Sequence, residues 1–223
     1  MDKVINTKDK YSTRVSITPS GHFGTSIDMI QEKENFLTEE EINYLSNFAR
    51  NNKIFDVTES HYNENGTIIY DHNVWVDRVT SYHNLLKADP KAVEMLNIII
   101  LRLKKDIESF FNVECEPTMP AIVRWPVGTM QWPHADKELH EGPDAGKPND
   151  FPWYDIGTVF YLNDDYEGGE LFFPKQNLSF KPKKGAVYFF PGDKNFIHGV
   201  TKVTDGCRYT APFFWTITKL GEN

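Results

Sequence analysis

The chain contains 223 residues, of which 39% are hydrophobic and 14% aromatic, and its formal net charge at pH 7 is −8. This length predicts a single domain, and the apolar content suffices for a large core, which excludes disorder for most of the chain. The negative charge disfavours nucleic acid as a partner, because non-specific binding to nucleic acid depends on Lys and Arg side chains that neutralise the phosphates. The longest apolar run near the middle, residues 98–101, stops at Arg102, so no membrane span is predicted.

The first residues and the cysteines indicate a compartment. Residues 1–6 contain no apolar stretch of the kind found in a cleaved signal peptide. Cys115 and Cys207 are the two cysteines, and they are predicted to be reduced thiols in a cytoplasmic protein. The sequence predicts no particular oligomeric state.

Two helices are predicted in the first half of the chain. Thr38 and Glu41 form a capping box at the start of the first helix, with Leu37 and Ile42 placed as a hydrophobic staple. The second helix begins at residues 89–90, Asp-Pro, with proline at the first helical position. Its apolar residues recur every three or four positions and are Val93, Leu96, Ile100, Leu103, Ile107 and Phe110. Both helices are predicted to support a sheet and to have no chemistry of their own.

From about residue 118 the chain changes to short β-branched and aromatic runs separated by Gly, Pro and Asp. The candidate strands are residues 121–125, 131–136, 156–162, 170–173, 186–190, 196–203 and 207–217. Turns are predicted at residues 167–169, 183–185 and 204–206. Short strands at this spacing are typical of a β-sandwich or an open barrel.

Two polar stretches are candidates for the rim of a site. Residues 137–154 are rich in Gly and Pro and form a predicted long loop, and residues 56–80 form a second polar segment. Long loops in compact domains are often functional, so both are predicted to face the substrate.

A metal site is indicated by three residues. His134 and Asp136 would lie on the same face of a strand about 6.6 Å apart, within reach of one ion, although such a pair alone is weak support. His198, in an apolar run, could add a third ligand from another strand or could be an ordinary core histidine. Two histidines and one carboxylate form the facial triad that leaves open positions on Fe(II), whereas zinc hydrolysis is the competing chemistry.

Arg208 separates these two chemistries. If residues 204–206 form a three-residue hairpin loop with Gly206 left-handed, then His198, Lys202 and Arg208 share one face of a sheet. A two-residue turn would instead send Arg208 to the opposite face, where it would be a surface residue. In the first register, the space between the metal and the guanidinium suits a short dicarboxylic acid, because the planar fork of arginine matches a carboxylate.

Several motifs follow one another in order over nearly 100 residues. They are RWPVG at 124–128, PHAD at 133–136, YLNDDYEGGE at 161–170, KKGAVYFFP at 183–191, HGV at 198–200, GCRY at 206–209 and Trp215, with a thinner match at residues 35–41. Together they resemble the prolyl 4-hydroxylase-like Fe(II)/2-oxoglutarate-dependent dioxygenases.

The resemblance implies a fold. It is an α+β fold with a double-stranded β-helix (jelly-roll) core at about residues 118–218 and N-terminal supporting helices at about residues 36–112. These two parts would form a single dioxygenase domain over residues 1–223.

The resemblance also implies roles for individual residues. Fe(II) would be bound by the catalytic triad His134, Asp136 and His198. Arg208 would bind the far carboxylate of the co-substrate 2-oxoglutarate, and Tyr161 would either help it or be a core aromatic residue. Trp125 is a further candidate co-substrate-binding residue. Trp125 and Gln131 stand where the family often has Tyr, so the geometry of the co-substrate or the substrate pocket is expected to differ here.

The activity implied by the resemblance is hydroxylation of an unactivated C–H bond with release of succinate and CO2, and ascorbate is a candidate reductant. The expected partners are 2-oxoglutarate, O2 and a peptide or small-molecule substrate. A prolyl residue of a peptide or protein is the first substrate hypothesis. The alternatives are a free amino acid, a small metabolite or a nucleobase, and a jelly-roll that binds without catalysis.

Overall fold

A computed structural model describes residues 16–56, 61–62, 68–70, 75 and 77–221 of the chain. Within these ranges there are three α-helices, which are α1 (Glu39–Asn51), α2 (Tyr82–Ala88) and α3 (Pro90–Phe111). The strands are β1 (Gln31–Lys33), β2 (His61–Tyr62), β3 (Ile68–Tyr70), β4 (Val79–Thr80), β5 (Val113–Pro117), β6 (Ile122–Pro126), β7 (Gln131–His134), β8 (Ile156–Tyr161), β9 (Tyr166–Gly168), β10 (Leu171–Phe173), β11 (Leu178–Phe180), β12 (Val187–Pro191), β13 (His198–Val200) and β14 (Val203–Leu220). None of the described helices combines the length and the apolar character needed to cross a membrane.

Helix α1 begins as its sequence predicts. The Thr38 hydroxyl accepts the Glu41 N–H at 3.2 Å, and the Glu41 carboxylate accepts the Thr38 N–H at 2.8 Å, so the capping box is confirmed. The two residues predicted as a hydrophobic staple, Leu37 and Ile42, are buried in the same core cluster. This start fixes the direction in which α1 crosses the sheet.

Helix α3 also follows its prediction except at its last turn. Asp89 caps its N-terminus and Asn112, in the left-handed conformation, ends it. The predicted apolar stripe is buried up to Ile107, but the prediction that Phe110 continues it is wrong, because Phe110 is 39% exposed and Phe111 is buried instead. Residue 111 lies four positions after Ile107, so the helical period brings it back to the core face.

The strands form two antiparallel sheets that carry the rest of the fold, besides the small β2–β3 pair. The larger has the order β1-β12-β8-β14-β6-β4, and the smaller has the order β11-β10-β13-β7. Strand β14 is the centre of the larger sheet, because it pairs in turn with β9, β6, β8 and β5. The helices and the larger sheet share one core cluster, whose sheet residues include Phe160, Val187, Phe189, Phe213 and Trp215.

Alternation along the strands gives the larger sheet a second face, which points away from the helices. In β8 and β12, alternate residues belong to the helix-side core. The residues between them are Tyr161, Tyr188 and Phe190, and they pack with residues of the smaller sheet such as Leu171 and Phe173. The space between the two sheets is therefore a separate interior, and it is lined by aromatic side chains.

The predicted hairpin at residues 204–206 does not form, so its register argument was wrong. Gly206 is left-handed (φ 70°) as predicted, but β14 runs through it and pairs with β9, with an irregularity between Val203 and Asp205. A Cβ on Gly206 would lie 2.7 Å from the carbonyl oxygen of Asp165, which explains the glycine. His198 belongs to the smaller sheet and Arg208 to the larger one, so they face one another across the interior rather than sharing one sheet face.

Lys202, which the hairpin would have placed beside Arg208, is exposed. The predicted loop at residues 137–154 is irregular, with one isolated bridge between Glu138 and Pro148. Of the second candidate rim segment, 56–80, only residues 56, 61–62, 68–70, 75 and 77–80 are described, and the rest of that prediction lies outside the described residues.

The capping box provides a test of stability. We expect Glu41→Gln to lower the free energy of unfolding at pH 7 by about 1 kcal/mol, because the Glu41 carboxylate accepts hydrogen bonds from Arg102 as well as from Thr38. Burial acts to raise the pKa of Glu41, but these hydrogen bonds and the charge of Arg102 outweigh it and lower the pKa below its ordinary value. The stabilisation is therefore present above the pKa of the unfolded chain, about 4.3, and is lost as the pH falls through the folded pKa.

Chemical denaturation of both proteins at decreasing pH measures this difference. The neighbouring substitution Glu40→Gln, on an exposed side chain, is the matched control and should change little. If the difference in the free energy of unfolding between wild type and Glu41→Gln stayed constant down to pH 2, the ionised carboxylate would not be its cause.

Candidate metal centre and co-substrate site

Three side chains converge at one end of the interior between the sheets. His134 of β7 and His198 of β13 are directly opposite in the antiparallel register, with ring centroids 4.4 Å apart. Asp136 follows β7 and is fixed by its N–H, which donates to the Gly192 carbonyl at 2.8 Å. One ligand atom from each of the three residues lies within 4.8 Å of the others, so the structure brings the predicted triad together.

The two imidazoles are oriented for metal binding. Nδ1 of His134 lies 2.9 Å from the Trp132 carbonyl, and Nδ1 of His198 lies 3.1 Å from the Phe196 carbonyl. Because a carbonyl only accepts, each Nδ1 carries the hydrogen and donates it. The lone pair then remains on each Nε2, and these atoms lie 3.7 Å (His134) and 3.6 Å (His198) from Oδ1 of Asp136.

The charges of the triad fit a bound cation. Asp136 Oδ2 is buried and has no hydrogen-bond partner in the described part of the chain, and burial raises the pKa of Asp136 to about 8. Burial is also the main cause that lowers the pKa of His134 and His198, so both favour the neutral form that binds metals. A divalent ion would supply the positive charge that this buried carboxylate lacks.

Gly157 of β8 makes room for the carboxylate. A Cβ at this position would lie 2.5 Å from Asp136 Oδ2 and 2.9 Å from the ring of Phe190. The Phe190 ring also packs on His198 at a centroid distance of 4.4 Å. The carboxylate and the imidazole are therefore positioned by the same strand pair, β8 and β12.

The triad opens to solvent on one side. The side chain of His134 is 33% exposed, whereas those of His198 and Asp136 are 9% and 4% exposed. On the closed side the rings of Phe190 and Phe173 cover His198. Substrate would therefore approach past His134, and the aromatic wall would keep water from the opposite side.

A buried cation lies deeper in the same interior. Arg208 is 1% exposed, and its Nη2 donates to the Tyr161 hydroxyl at 3.0 Å. Its Nε and Nη1 have no hydrogen-bond partner among the residues that the structure describes. A buried guanidinium with two open donors is costly unless an anion binds there, so the arrangement fits a carboxylate ligand.

Trp125 supports this guanidinium with its ring. Trp125 is opposite Arg208 in the β6–β14 register, and Arg208 Cζ lies 4.8 Å from the centroid of its ring. The single donor of the indole is used within the protein, since Nε1 donates to the Thr210 hydroxyl at 3.1 Å. Co-substrate binding by Trp125 and Tyr161 stays a prediction, with Trp125 placed to act through its ring face rather than its N–H.

Three further residues extend this region. Gln131 is opposite Val200 in the β7–β13 register, and its Oε1 is buried without a hydrogen-bond partner in the described ranges. Trp75 and Arg78, at the described end of the 56–80 segment, both lie against the Trp125 ring. That end of the segment thus reaches the co-substrate side of the interior.

The structure contains a buried ion pair next to the metal triad that the sequence analysis does not predict. Lys137 follows Asp136, and its Nζ lies 2.8 Å from Asp155 Oδ1 and also donates to Ser16 and Thr18. Asp155 Oδ2 accepts the N–H of Ile217, so the pair joins the loop after β7 to β14. A lysine is expected at the surface unless it is paired. The partner that allows Lys137 to be buried, Asp155, is 18 residues away, so the local sequence does not indicate the pair.

Comparisons with known proteins agree with this geometry. The sequence model of the 2OG-Fe(II) oxygenase superfamily matches residues 120–216. A PKHD-type hydroxylase of Caulobacter sp. (strain K31) is 30% identical over an alignment of 162 residues, and the match covers 66% of this chain and 69% of that protein. The chain belongs to the 2OG-Fe(II) oxygenase superfamily. Human prolyl 3-hydroxylase 2 is 33% identical over an alignment of 96 residues; the match covers 39% of this chain, and the chain spans only 13% of the length of that relative.

A solved structure confirms the fold of this 2OG-Fe(II) oxygenase domain. The viral collagen prolyl hydroxylase of Paramecium bursaria Chlorella virus-1, solved as its 2OG complex, superposes with a TM-score of 0.61 at 20% identity. The superposition covers 86% of this chain and 98% of the viral protein. The predicted α+β jelly-roll with supporting helices is therefore confirmed.

Proposed function

We propose that this chain is a Fe(II)- and 2-oxoglutarate-dependent dioxygenase that hydroxylates a prolyl residue of a peptide or protein and releases succinate and CO2. The observation that carries the proposal is the combination of the His134, Asp136 and His198 cluster with the buried Arg208, whose Nε and Nη1 have no hydrogen-bond partner among the described residues. A zinc hydrolase has no need of such an arginine, whereas a 2-oxo diacid needs both a metal and a cation at its far end.

Each residue has a defined task in this proposal. His134, Asp136 and His198 would hold the ion through two Nε2 atoms and one carboxylate, which leaves open positions for ligands. Bound Fe(II) would supply the activation of O2, with one oxygen atom entering succinate as CO2 leaves and the other entering the substrate C–H bond. Arg208 would bind the far carboxylate and so orient the co-substrate, and Phe190 and Phe173 would exclude water from the reacting centre.

The prolyl substrate rests on the relatives. Human prolyl 3-hydroxylase 2, the PKHD-type hydroxylase and the viral collagen prolyl hydroxylase are all named as hydroxylases, and two of the names specify a prolyl substrate. The opening beside the partly exposed His134 supports access by a large substrate. A free amino acid, a small metabolite or a nucleobase would use the same chemistry, and a screen for products heavier by one oxygen atom distinguishes them.

Succinate formation tests the proposal together with the role of Arg208. Wild type should convert 2-oxoglutarate to succinate with added Fe(II), with ascorbate as reductant, and a proline-rich peptide should stimulate it. Arg208→Ala should weaken 2-oxoglutarate binding by about 100-fold, because a charge-assisted bidentate contact is lost, while metal affinity is retained. Calorimetric titration of both ligands measures the two affinities.

The control is Arg50→Ala, which removes an arginine paired with Asp165 at the surface. It should leave both affinities unchanged. If Arg208→Ala bound 2-oxoglutarate as tightly as wild type, the assignment of the co-substrate site would be wrong. If wild type formed no succinate and bound neither ligand, the dioxygenase proposal itself would fail.

A further inference from the structure

A third polar group without a partner lies beside Arg208. Tyr166 is 4% exposed, and its hydroxyl, like Nε and Nη1 of Arg208, has no hydrogen-bond partner of good geometry within the described ranges. A buried hydroxyl that makes no hydrogen bond costs free energy, so such a group calls for a ligand or another physical reason. Three such atoms in one place indicate a binding site for an acceptor.

The strand register brings Tyr166 to the guanidinium. Tyr166 of β9 is opposite Gly206 of β14, and Arg208 is two positions further along β14 on the same face. A Cβ on Gly169 would lie 3.0 Å from Arg208 Cδ and 3.2 Å from Tyr166 Cε2, so this glycine contacts both side chains. Glycine at position 169 thus lets the phenol and the guanidinium approach each other.

The phenol is protonated at neutral pH and can donate. Burial raises the pKa of Tyr166 to about 12, although the nearby charge of Arg208 acts in the opposite direction. Arg208 offers donors only, so the Tyr166 hydroxyl can accept from it at most and keeps its own hydrogen for another acceptor. Within the protein, Tyr161 already fills the position of acceptor for Arg208 Nη2.

We propose that Tyr166 donates a hydrogen bond to the co-substrate carboxylate that Arg208 binds, and that it is a binding residue of this oxygenase. The inference rests on the proposed function, since it assigns a further residue to the 2-oxoglutarate site. A carboxylate has about four acceptor positions, so the guanidinium of Arg208, the Tyr166 hydroxyl and the Tyr161 hydroxyl can all donate to the same carboxylate. Tyr166 then helps to select a diacid over a 2-oxo acid that lacks the second carboxylate.

The substitution Tyr166→Phe separates this role from core packing, because it keeps the ring and removes only the hydroxyl. Calorimetric titration of 2-oxoglutarate into Mn(II)-loaded protein should give a dissociation constant roughly tenfold higher than that of wild type, while the affinity for Mn(II) stays the same. The melting temperature of the ligand-free variant should be equal or higher, since an unpaired buried hydroxyl has been removed.

Two controls sharpen the measurement. Tyr209→Phe removes a phenol from the opposite, helix-side face of β14 and should leave 2-oxoglutarate affinity unchanged. Titration of 2-oxopentanoate, which keeps the 2-oxo acid but lacks the far carboxylate, should give the same weak affinity for wild type and Tyr166→Phe.

The failure of this inference differs from the failure of the proposed function. If wild type binds 2-oxoglutarate and Tyr166→Phe binds it equally well, the role of Tyr166 is overturned while the oxygenase assignment stands. The role of Tyr166 would also be overturned if Tyr166→Phe lost as much affinity for 2-oxopentanoate as for 2-oxoglutarate, because the hydroxyl would then not act on the far carboxylate. If wild type with Mn(II) binds no 2-oxoglutarate, the proposed function falls, and the inference falls with it.

Discussion

The substitution His198→Ala is expected to abolish Fe(II)-dependent succinate formation and to weaken metal binding by more than about 100-fold. His198 is the triad ligand on β13, and its Nε2 is held toward Asp136 by the hydrogen bond that Nδ1 donates to the Phe196 carbonyl. With this imidazole removed, two ligands remain, which is too few to hold a ferrous ion against water. Titration with Mn(II) measures the affinity, and NMR detection of succinate measures the activity.

The matched control is His83→Ala, because His83 is exposed on α2. It should leave metal binding and succinate formation at wild-type levels. His134→Ala is a second test at the more exposed edge of the triad, where removal of the ring leaves a smaller buried cavity. If His198→Ala and His134→Ala, both folded by circular dichroism, kept wild-type metal affinity, the triad would not be the metal site.

The substitution Lys137→Met should lower the free energy of unfolding by about 3–5 kcal/mol, a larger loss than for Glu41→Gln. The Lys137 and Asp155 side chains are 7% and 0% exposed, so removing the ammonium leaves an uncompensated carboxylate in the interior. A typical domain is stable by about 5–15 kcal/mol, so the loss is a large share of the total. Urea unfolding followed by fluorescence measures it.

Two comparison variants show whether burial causes the effect. Lys147→Met breaks the exposed pair with Asp144 and should cost less than about 1 kcal/mol. The double substitution Lys137→Met with Asp155→Asn should recover part of the loss, since no net charge remains buried. The amide oxygen can still accept the Ile217 N–H, and the amide NH2 can donate to the Ser16 hydroxyl. A loss for Lys137→Met no larger than that for Lys147→Met would contradict a stabilising role of the buried pair.

Helices α1 and α3 could be predicted because their signals are local, whereas the short helix α2 is not in the sequence prediction. The capping box at Thr38 and the Asp89-Pro90 start depend on residues within one turn, and both helices begin there. The wrong prediction for Phe110 shows what an apolar periodicity cannot decide. Phe110 and Phe111 are both apolar, and only packing against the sheet determines which of them is buried.

The sheet was less predictable because pairing is not local. Residues 204–206 have the composition of a hairpin turn, yet β14 continues through them, because β9 rather than β13 is their partner. Strands β1 to β5, β9 and β11 are not in the sequence prediction, and all of them except β5 have only two or three residues, too few to show an alternation. Arg208 still reaches the interior, but it does so from the opposite sheet to His198.

The grouping of His134, Asp136 and His198 could be predicted because two of these residues are neighbours in sequence and the third lies in a recognisable motif. The residues around it could not. Tyr166 stands within a motif stretch, but its closeness to Arg208 follows from the β9–β14 register. Lys137 is next to a ligand, but its burial depends on Asp155 and on residues 16 and 18.

The central position of β14 has a consequence for synthesis on the ribosome. Strands β5, β6, β8 and β9 are all made before residues 203–220, the strand that pairs with each of them. Until those residues emerge, the nascent chain carries the three candidate metal ligands but has open strand edges, which favour association with other chains. Arg208 arrives with the strand that closes these edges, so the co-substrate site is completed in the same step as the larger sheet.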